Sequence, residues 1–326
     1  MLIVFIFGLF IGFAGLVKGA DFFVEGSIGI AKYLNVPGLI IGLTIVAFGT
    51  SMPELAVSTV AAVRGSNEIA LSNVLGSNIF NLLTVIGCCA LISPVPSERS
   101  VLVRDIPVSV AAVLIIFLSS GAGSILINSS YLKEMSIIVG LIGRIHGFIL
   151  VILFIAYIVC VVKKSKGNNP DNSTAETVSM KKCAAITILG LAMIIVGGQA
   201  VVVYAQKIAV IFGMTETLIG LTIVAVGTSL PELVTSIVAA RKNQTNLAVG
   251  NAIGSNIFNL MFILGISSLL NPIKVNAASA YDILILIVVS MVVLAFFSIS
   301  GRLNRIHGLM MVGLYFAYLM FAILRK

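Results

Sequence analysis

Charged residues are scarce in this 326-residue chain. They make up 10% of it, whereas 59% of the residues are hydrophobic and the mean hydropathy is +1.17. A soluble domain needs far more polar surface than that, so the composition excludes a water-soluble globular protein. Apolar stretches of about 20 residues recur along nearly the whole length, each long enough to cross about 30 Å of hydrocarbon. They are too long and too uniformly apolar for barrel strands, so we expect an all-α membrane protein with the lipid bilayer as its partner.

Cysteine and histidine are also rare. The four cysteines lie in or beside apolar segments without CxxC or Cys/His spacing, which is typical of small core residues. The HExxH motif is absent, and neither histidine lies deep enough in an apolar segment to form a Ser/His pair. We therefore expect no enzyme activity and no cofactor. The net charge of +8 resides in short loops, where basic residues set orientation, so we expect no nucleic-acid partner.

The apolar stretches predict ten membrane-spanning helices in two groups of five. Their approximate ranges are 2–31, 39–62, 68–92, 104–126, 140–162, 184–211, 216–239, 247–270, 279–299 and 306–324. The one long polar stretch lies between the two groups and is too short and polar to fold as a domain. The predicted organisation is a first five-helix repeat over 1–162, a linker over 163–183 and a second five-helix repeat over 184–326.

An internal repeat relates the two groups. GLTIVAFGTSMPEL, beginning at Gly42, returns as GLTIVAVGTSLPEL at Gly220, and NVLGSNIFNL at Asn73 returns as NAIGSNIFNL at Asn251. Both pairs have the same offset of 178 residues (220 − 42 and 251 − 73). Because five spans are an odd number, the second copy enters the membrane upside down. This predicts an inverted-topology repeat, a common transporter architecture with its site near the midplane.

The loop charges predict the orientation. With the N-terminus outside, most basic loop residues fall on the cytoplasmic side, including Lys163, Lys164 and Lys166 of the linker. We therefore expect both termini outside and the linker in the cytoplasm.

Two acidic residues are set deepest within the apolar spans, Glu54 and Glu232. A carboxylate at that depth costs several kcal/mol unless it faces a partner or a wet cavity. A single such residue could be a protonated glutamate that joins helices. Its recurrence within the same GTSxPE motif favours a cation from solution as the partner.

Proline precedes each of these glutamates. Pro53 has no N–H to donate to the carbonyl of Gly49, four residues earlier. In the same way, Pro231 leaves the carbonyl of Gly227 without its helical hydrogen bond. One proline in a span can be a simple kink. Together with the adjacent carboxylate, however, carbonyls freed around Thr50 and Thr228 form a set of ligands.

Helical spacing places further oxygen-bearing residues on one face of each span that carries a repeated motif. The candidate ligands are Ala47, Thr50, Ser51 and Glu54; Ser77 and Asn81; Ala225, Thr228, Ser229 and Glu232; and Ser255 and Asn259. The serines and asparagines of the GSNIFN motifs could instead serve helix packing, and Asn73, Asn78, Asn251 and Asn256 fit either role. An oxygen-only site selects hard cations. Two carboxylates and two carbonyls suit Ca²⁺, and Na⁺ can use the same oxygens, so a site that takes either ion is that of an exchanger.

These motifs resemble the alpha repeats of the sodium/calcium exchanger branch of the cation/calcium antiporter superfamily, and the compact prokaryotic members in particular. The resemblance covers essentially the whole chain. It implies a prokaryotic plasma-membrane antiporter that exchanges Ca²⁺ for Na⁺, with Glu54 and Glu232 as central calcium ligands. It also implies flanking sites completed by Thr50, Thr228, Ser51, Ser229, Ser77, Ser255, Ala47 and Ala225, with Asn81 and Asn259 at the centre of the cavity. The first and sixth spans would slide as a pair against the other eight.

The same residues leave three alternatives open. Some relatives, notably the potassium-dependent exchangers, carry Asp at one of the two asparagine positions, so Asn81 and Asn259 argue against potassium co-transport. The proton/calcium branch usually lacks the GTSxPE pattern, which makes H⁺/Ca²⁺ exchange the second hypothesis. A cation channel is a third, because carboxylates also line pores.

Overall fold

The computed structural model describes residues 2–126, 134–165, 179–213 and 225–325. Over these residues the chain is almost entirely helical. The helices are α1 (Leu2–Leu34), α2 (Gly38–Thr50), α3 (Met52–Val63), α4 (Asn67–Ile92), α5 (Val101–Ser119), α6 (Arg144–Ser165), α7 (Met180–Ile211), α8 (Ala225–Thr228), α9 (Leu230–Arg241), α10 (Thr245–Leu270), α11 (Ala277–Ser300) and α12 (Arg305–Leu324).

Four short strands form two antiparallel pairs at the ends of the helices. The strands are β1 (Val95–Pro96), β2 (Ile138–Ile142), β3 (Ile273–Asn276) and β4 (Arg302–Leu303). β1 pairs with β4, and β2 pairs with β3, so each pair joins a segment before the linker to one after it.

Eight of the described helices are long and apolar enough to cross a membrane, namely α1, α4, α5, α6, α7, α10, α11 and α12. The bent pair α2 and α3 makes a ninth candidate when counted as one span. The predicted span over 216–239 begins among residues that the structure does not describe, and only α8 and α9 of it are described. The prediction of a helical membrane protein is confirmed, and the count of ten spans remains a prediction.

Several predicted boundaries differ from those in the structure. The predicted span over 104–126 ends as an α-helix at Ser119, because Gly121 adopts a left-handed conformation with φ of 84°. The predicted span over 140–162 begins instead at Arg144, since the preceding apolar segment pairs as β2. On either side of the linker, α6 continues to Ser165 and α7 begins at Met180.

The most deeply buried long helices are α4 and α10. In their most apolar stretches 72% and 78% of the residues are buried, whereas α12 buries 11%. These two helices carry the repeated GSNIFN motif, which therefore lies in the centre of the molecule. α2 packs closely on α10 at Gly250. A Cβ added to this glycine would lie 2.5 Å from the carbonyl oxygen of Leu39, so only glycine fits there.

Helices α1 and α7, the predicted first and sixth spans, pack against each other along their length. Glycines make the contact: a Cβ at Gly197 would lie 2.8 Å from the Gly12 carbonyl oxygen, and one at Gly190 would lie 2.7 Å from that of Gly19. Small residues allow such close approach between membrane helices. The two helices therefore pack as a pair, as the family resemblance implies, and the sliding of this pair stays a prediction.

Candidate functional site

Both GTSxPE motifs interrupt a helix at their serine. Ser51 lies between α2 and α3 with φ of −85° and ψ of 10°, and the two helices are bent by 49°. Ser229 lies between α8 and α9 with φ of −93° and ψ of 6°. In each case a proline occupies the first turn of the following helix, a position where its missing N–H costs little. The breaks thus lie directly after Thr50 and Thr228, around which the sequence predicts freed carbonyls.

The two motifs exchange hydrogen bonds across the site. The hydroxyl of Ser51 donates to Glu232 Oε1 at 2.7 Å, and the hydroxyl of Ser229 donates to Glu54 Oε1 at 3.1 Å. All four side chains belong to residues that are fully buried. The serine of each motif thus orients the glutamate of the other, so the two motifs form one site.

Each glutamate has a second carboxylate oxygen that is unpaired within the described part of the chain. Glu54 Oε2 and Glu232 Oε2 are buried and have no hydrogen-bond partner among the described residues. None of the ion pairs formed by those residues involves either glutamate. An unpaired carboxylate oxygen in the protein interior is costly unless a cation or a proton compensates it. This is the property expected of a ligand for a cation that enters from solution.

The threonines of the two motifs are held by asparagines of α4 and α10. Thr50 Oγ1 donates to Asn251 Oδ1 at 3.0 Å, and Thr228 Oγ1 donates to Asn73 Oδ1 at 3.4 Å. The two asparagines are fixed in turn, because Asn251 Nδ2 donates to Ser236 Oγ at 2.9 Å and Asn73 Nδ2 donates to Ser58 Oγ at 3.1 Å. Asn73 and Asn251, for which the sequence leaves two roles open, thus orient the residues beside the glutamates.

The serines of the GSNIFN motifs have different contacts in the two halves. Ser255 Oγ lies 3.4 Å from Glu232 Oε1 and 3.4 Å from the carbonyl oxygen of Ala47. Ser77 donates to the carbonyl oxygen of Val74 at 3.1 Å. The structure therefore brings Ala47 and Ser255 to the glutamate pair.

The two central asparagines also differ. Asn259 Nδ2 donates to Ser77 Oγ at 3.0 Å and to Asn78 Oδ1 at 3.2 Å. Neither the amide nitrogen nor the oxygen of Asn81 has a partner among the described residues, although its side chain is buried. Ala225 begins α8, and its side chain lies outside the described part of the molecule.

Oxygen atoms dominate the chemistry of the site. Within the described ranges no three or more His, Cys, Asp or Glu side chains cluster in a way that could hold a metal ion. The charge of the site therefore comes from the two glutamates, and hydroxyl, amide and carbonyl oxygens surround them. Such a set suits hard cations and not zinc or copper.

Sequence reasoning missed two further buried carboxylates. Asp105 is fully buried between Arg104, at 2.6 Å, and the hydroxyl of Tyr157, at 2.9 Å. The equivalent group in the second half is Asp282, which contacts Arg325 at 2.6 Å and Tyr318 at 3.2 Å. The sequence holds one signal for this pair. A tyrosine follows each RIHG sequence at the same distance, because Tyr157 and Tyr318 are 161 residues apart (318 − 157), as are Arg144 and Arg305 (305 − 144). Because arginine neutralises both aspartates, they serve the packing of the helices and not the cation site.

Comparison with known proteins places this arrangement in a family. The sequence profile described as sodium/calcium exchanger protein matches residues 4–163 and 182–324. The putative antiporter CaxA of Alkalimonas amylolytica is 35% identical, over 99% of this chain and 100% of its own length. The sodium/calcium exchanger MaX1 of Methanosarcina acetivorans is 34% identical, over 95% of this chain and 96% of its own length.

A solved structure agrees with these relatives. The sodium-calcium exchanger NCX_Mj, soaked with 10 mM Na⁺ and without Ca²⁺, superposes with a TM-score of 0.82 at 30% sequence identity. The match covers 97% of this chain and 98% of that one. The chain therefore belongs to the sodium/calcium exchanger family of membrane cation antiporters.

Proposed function

We propose that the protein is a secondary antiporter that exchanges Ca²⁺ for Na⁺ by alternating access, with Glu54 and Glu232 as the central calcium ligands. One observation carries the proposal. The two glutamates are buried in the same site, each held through Oε1 by the serine of the other motif and each with Oε2 unpaired within the described residues. Two carboxylates supply the charge that balances one Ca²⁺.

The surrounding oxygens complete the proposed ligand set. Ca²⁺ takes about 6–8 oxygens, more than two carboxylates provide. The remaining ligands are assigned to Thr50, Thr228, Ser51, Ser229, Ser77, Ser255, Asn81, Asn259 and the carbonyls of Ala47 and Ala225. Na⁺ carries less charge per ion, so it would use the hydroxyl and carbonyl oxygens that flank the glutamates.

Antiport follows from the cost of an empty site. With neither ion bound, two buried carboxylates would repel each other and resist any closure that excludes water. Bound Ca²⁺ or Na⁺ removes this penalty, so the conformational change proceeds mainly with an ion in place. The glycine-lined pair α1 and α7 is the element that would slide during this change.

The membrane arrangement belongs to the same proposal. Ten spans in two inverted repeats, with both termini outside and the linker inside, agree with the loop charges. The bacterial and archaeal sources of the relatives support a prokaryotic plasma membrane as the location.

Uptake of Ca²⁺ into Na⁺-loaded proteoliposomes tests the proposal. We expect uptake that depends on the outward Na⁺ gradient, saturates with Ca²⁺ and is lost in both Glu54→Gln and Glu232→Gln. Glu68→Gln is the matched control, because this glutamate is exposed at the start of α4. Near-normal exchange in both site variants would overturn the assignment of the ligands.

Two other functions predict different results in the same assay. Uptake that ignores Na⁺ and follows a pH gradient would identify an H⁺/Ca²⁺ exchanger. Flux that neither saturates nor shows counterflow would identify a channel.

A further inference from the structure

A cavity of about 580 Å³ lies between α1 and the end of α9, away from the glutamate site. Its polar lining consists of Lys18, Asp21, Arg241 and Lys242. Its apolar lining consists of Ala14, Val17 and Val238. The cavity thus combines basic groups with a hydrocarbon surface.

The charges around this cavity do not balance. Among the described residues Asp21 is the only carboxylate of the lining, and it is shared by Lys242, at 2.5 Å, and Lys18, at 3.3 Å. Arg241 forms no ion pair with any residue that the structure describes. Three cations face one carboxylate, which leaves a net positive charge to attract an anion.

The depth of the cavity agrees with the level of lipid headgroups. Lys242 follows Glu232 by ten residues (242 − 232). Ten residues of helix span about 15 Å, which is half of the roughly 30 Å of membrane hydrocarbon. With Glu232 near the midplane, the basic groups lie where the hydrocarbon ends and the headgroups begin.

An apolar surface leads from the cavity toward the middle of the membrane. Phe7, Phe10, Ala14 and Val17 follow one face of α1. Phe10 and Val17 are 68% and 49% exposed. An acyl chain could lie along this face while its phosphate contacts the basic groups. A free inorganic anion would make no use of this surface.

We propose that this cavity binds an anionic phospholipid, whose phosphate contacts Lys18 and Arg241 and whose acyl chain lies along α1. Basic pockets between membrane helices are suited to such headgroups. Because the lining comes from α1 and from the end of α9, the bound lipid joins the α1–α7 pair to the helix that carries Glu232.

Lipid binding to the purified full-length protein tests the proposal independently of transport. The probes are phosphatidylglycerol, phosphatidylcholine and inorganic phosphate, and the readouts are bound lipid by native mass spectrometry and the melting temperature. We expect phosphatidylglycerol to remain bound and to raise the melting temperature, whereas the other two probes do neither.

Two variants and one control locate the site. Arg241→Gln and Lys18→Gln should each weaken phosphatidylglycerol binding by about fivefold, since one basic residue near a membrane surface contributes on that order. Arg64→Gln should have no effect, because Arg64 lies at the end of α3, in the repeat position of Lys242 (242 − 64 is the repeat offset of 178), and does not line this cavity. Unchanged melting in phosphatidylcholine verifies that the variants fold.

Three results would overturn the proposal: undiminished phosphatidylglycerol binding in both variants, equal binding of phosphatidylcholine, or equal stabilisation by inorganic phosphate. The first result would show that the lipid does not bind in this cavity. The second would show that binding does not require an anionic headgroup, and the third that it does not require a lipid.

Discussion

Asn78 and Asn256 each donate a side-chain hydrogen bond to the backbone carbonyl of the other, at 3.2 and 3.1 Å. They occupy the same position of the two GSNIFN motifs, 178 residues apart (256 − 78). Both are buried, so each satisfies a carbonyl that water does not reach. This reciprocal contact between α4 and α10 joins the two halves of the chain in addition to the bonds between the two GTSxPE motifs.

Truncation of these two asparagines should have unequal effects on stability. Asn78 Oδ1 also accepts a bond from Asn259 Nδ2, whereas Asn256 Oδ1 has no partner among the described residues. Asn78→Ala therefore loses one more hydrogen bond than Asn256→Ala. We expect it to lower the free energy of unfolding by about 1 kcal/mol more. Thermal unfolding of both variants in the same detergent measures the difference, and equal melting temperatures would contradict it.

The contact between α1 and α7 can be tested with two glycines of the same helix. A Cβ at Gly19 would lie 2.7 Å from Met193 Cβ and 2.9 Å from the Gly190 carbonyl oxygen, whereas a Cβ at Gly15 meets only Gly197 Cα, at 3.8 Å. Gly19→Ala should push the two helices apart and lower both the melting temperature and the exchange rate.

Gly15→Ala is the matched control for this change. It adds the same methyl group in ordinary van der Waals contact, and alanine is a better helix former by about 1 kcal/mol. We expect stability and exchange at least equal to those of the unmodified protein. If Gly19→Ala and Gly15→Ala were tolerated equally, the stability of the α1–α7 contact would not depend on close packing at Gly19.

The ion pair between Asp282 and Arg325 should be important for folding. Arg325 donates to both carboxylate oxygens, at 2.7 and 2.6 Å, and thereby fixes the end of α12 against α11. Among the described residues, Arg325→Gln leaves the buried carboxylate with the hydroxyl of Tyr318 as its one side-chain donor. We expect a loss of about 3 kcal/mol of unfolding free energy, because the unpaired charge stays buried.

A double substitution separates the effect of the charge from that of packing. Asp282→Leu combined with Arg325→Met removes both charges and should restore most of the lost melting temperature. A double variant no more stable than Arg325→Gln alone would show that the geometry of the pair, and not the unpaired charge, is what matters.

Hydropathy and the repeat were sufficient to predict much of this molecule. The spans follow from local composition, and two blocks at one offset indicated a common site. The partners within the site were less accessible. The sequence places Ser51 and Glu54 in one motif, yet Ser51 donates to Glu232 of the other. Such an exchange depends on the relative position of two bent helices, which no local pattern encodes.

Other differences have local causes. The segment Ile138–Ile142 is apolar enough for a helix, but it forms a strand because β3 offers an edge to pair with. A short apolar run cannot be assigned to helix or strand by periodicity alone. The contact of Asp282 with Arg325 joins residues 43 positions apart without a motif that links them. The predicted start of the seventh span lies outside the described residues and stays a prediction.

The difference between Asn81 and Asn259 leads to a prediction about ion affinity. Asn259 Nδ2 donates two hydrogen bonds, to Ser77 and Asn78, whereas both side-chain atoms of Asn81 lack partners within the described residues. Replacement of the amide by a carboxylate therefore removes two donated hydrogen bonds at position 259 and none at position 81. We expect Asn81→Asp to fold and Asn259→Asp to melt at a lower temperature.

Because the proposed ligand set includes Asn81, Asn81→Asp would add a third carboxylate to the site. An added negative charge near a bound Ca²⁺ strengthens its attraction, so the half-saturating Ca²⁺ concentration should fall by about tenfold while release and turnover become slower. The Ca²⁺ dependence of Na⁺-driven uptake measures both quantities, and Asn259→Asp serves for comparison because its side chain must first break two bonds. A half-saturating concentration that does not change in Asn81→Asp, measured at several pH values so that a protonated aspartate is recognised, would mean that Asn81 does not face the ion.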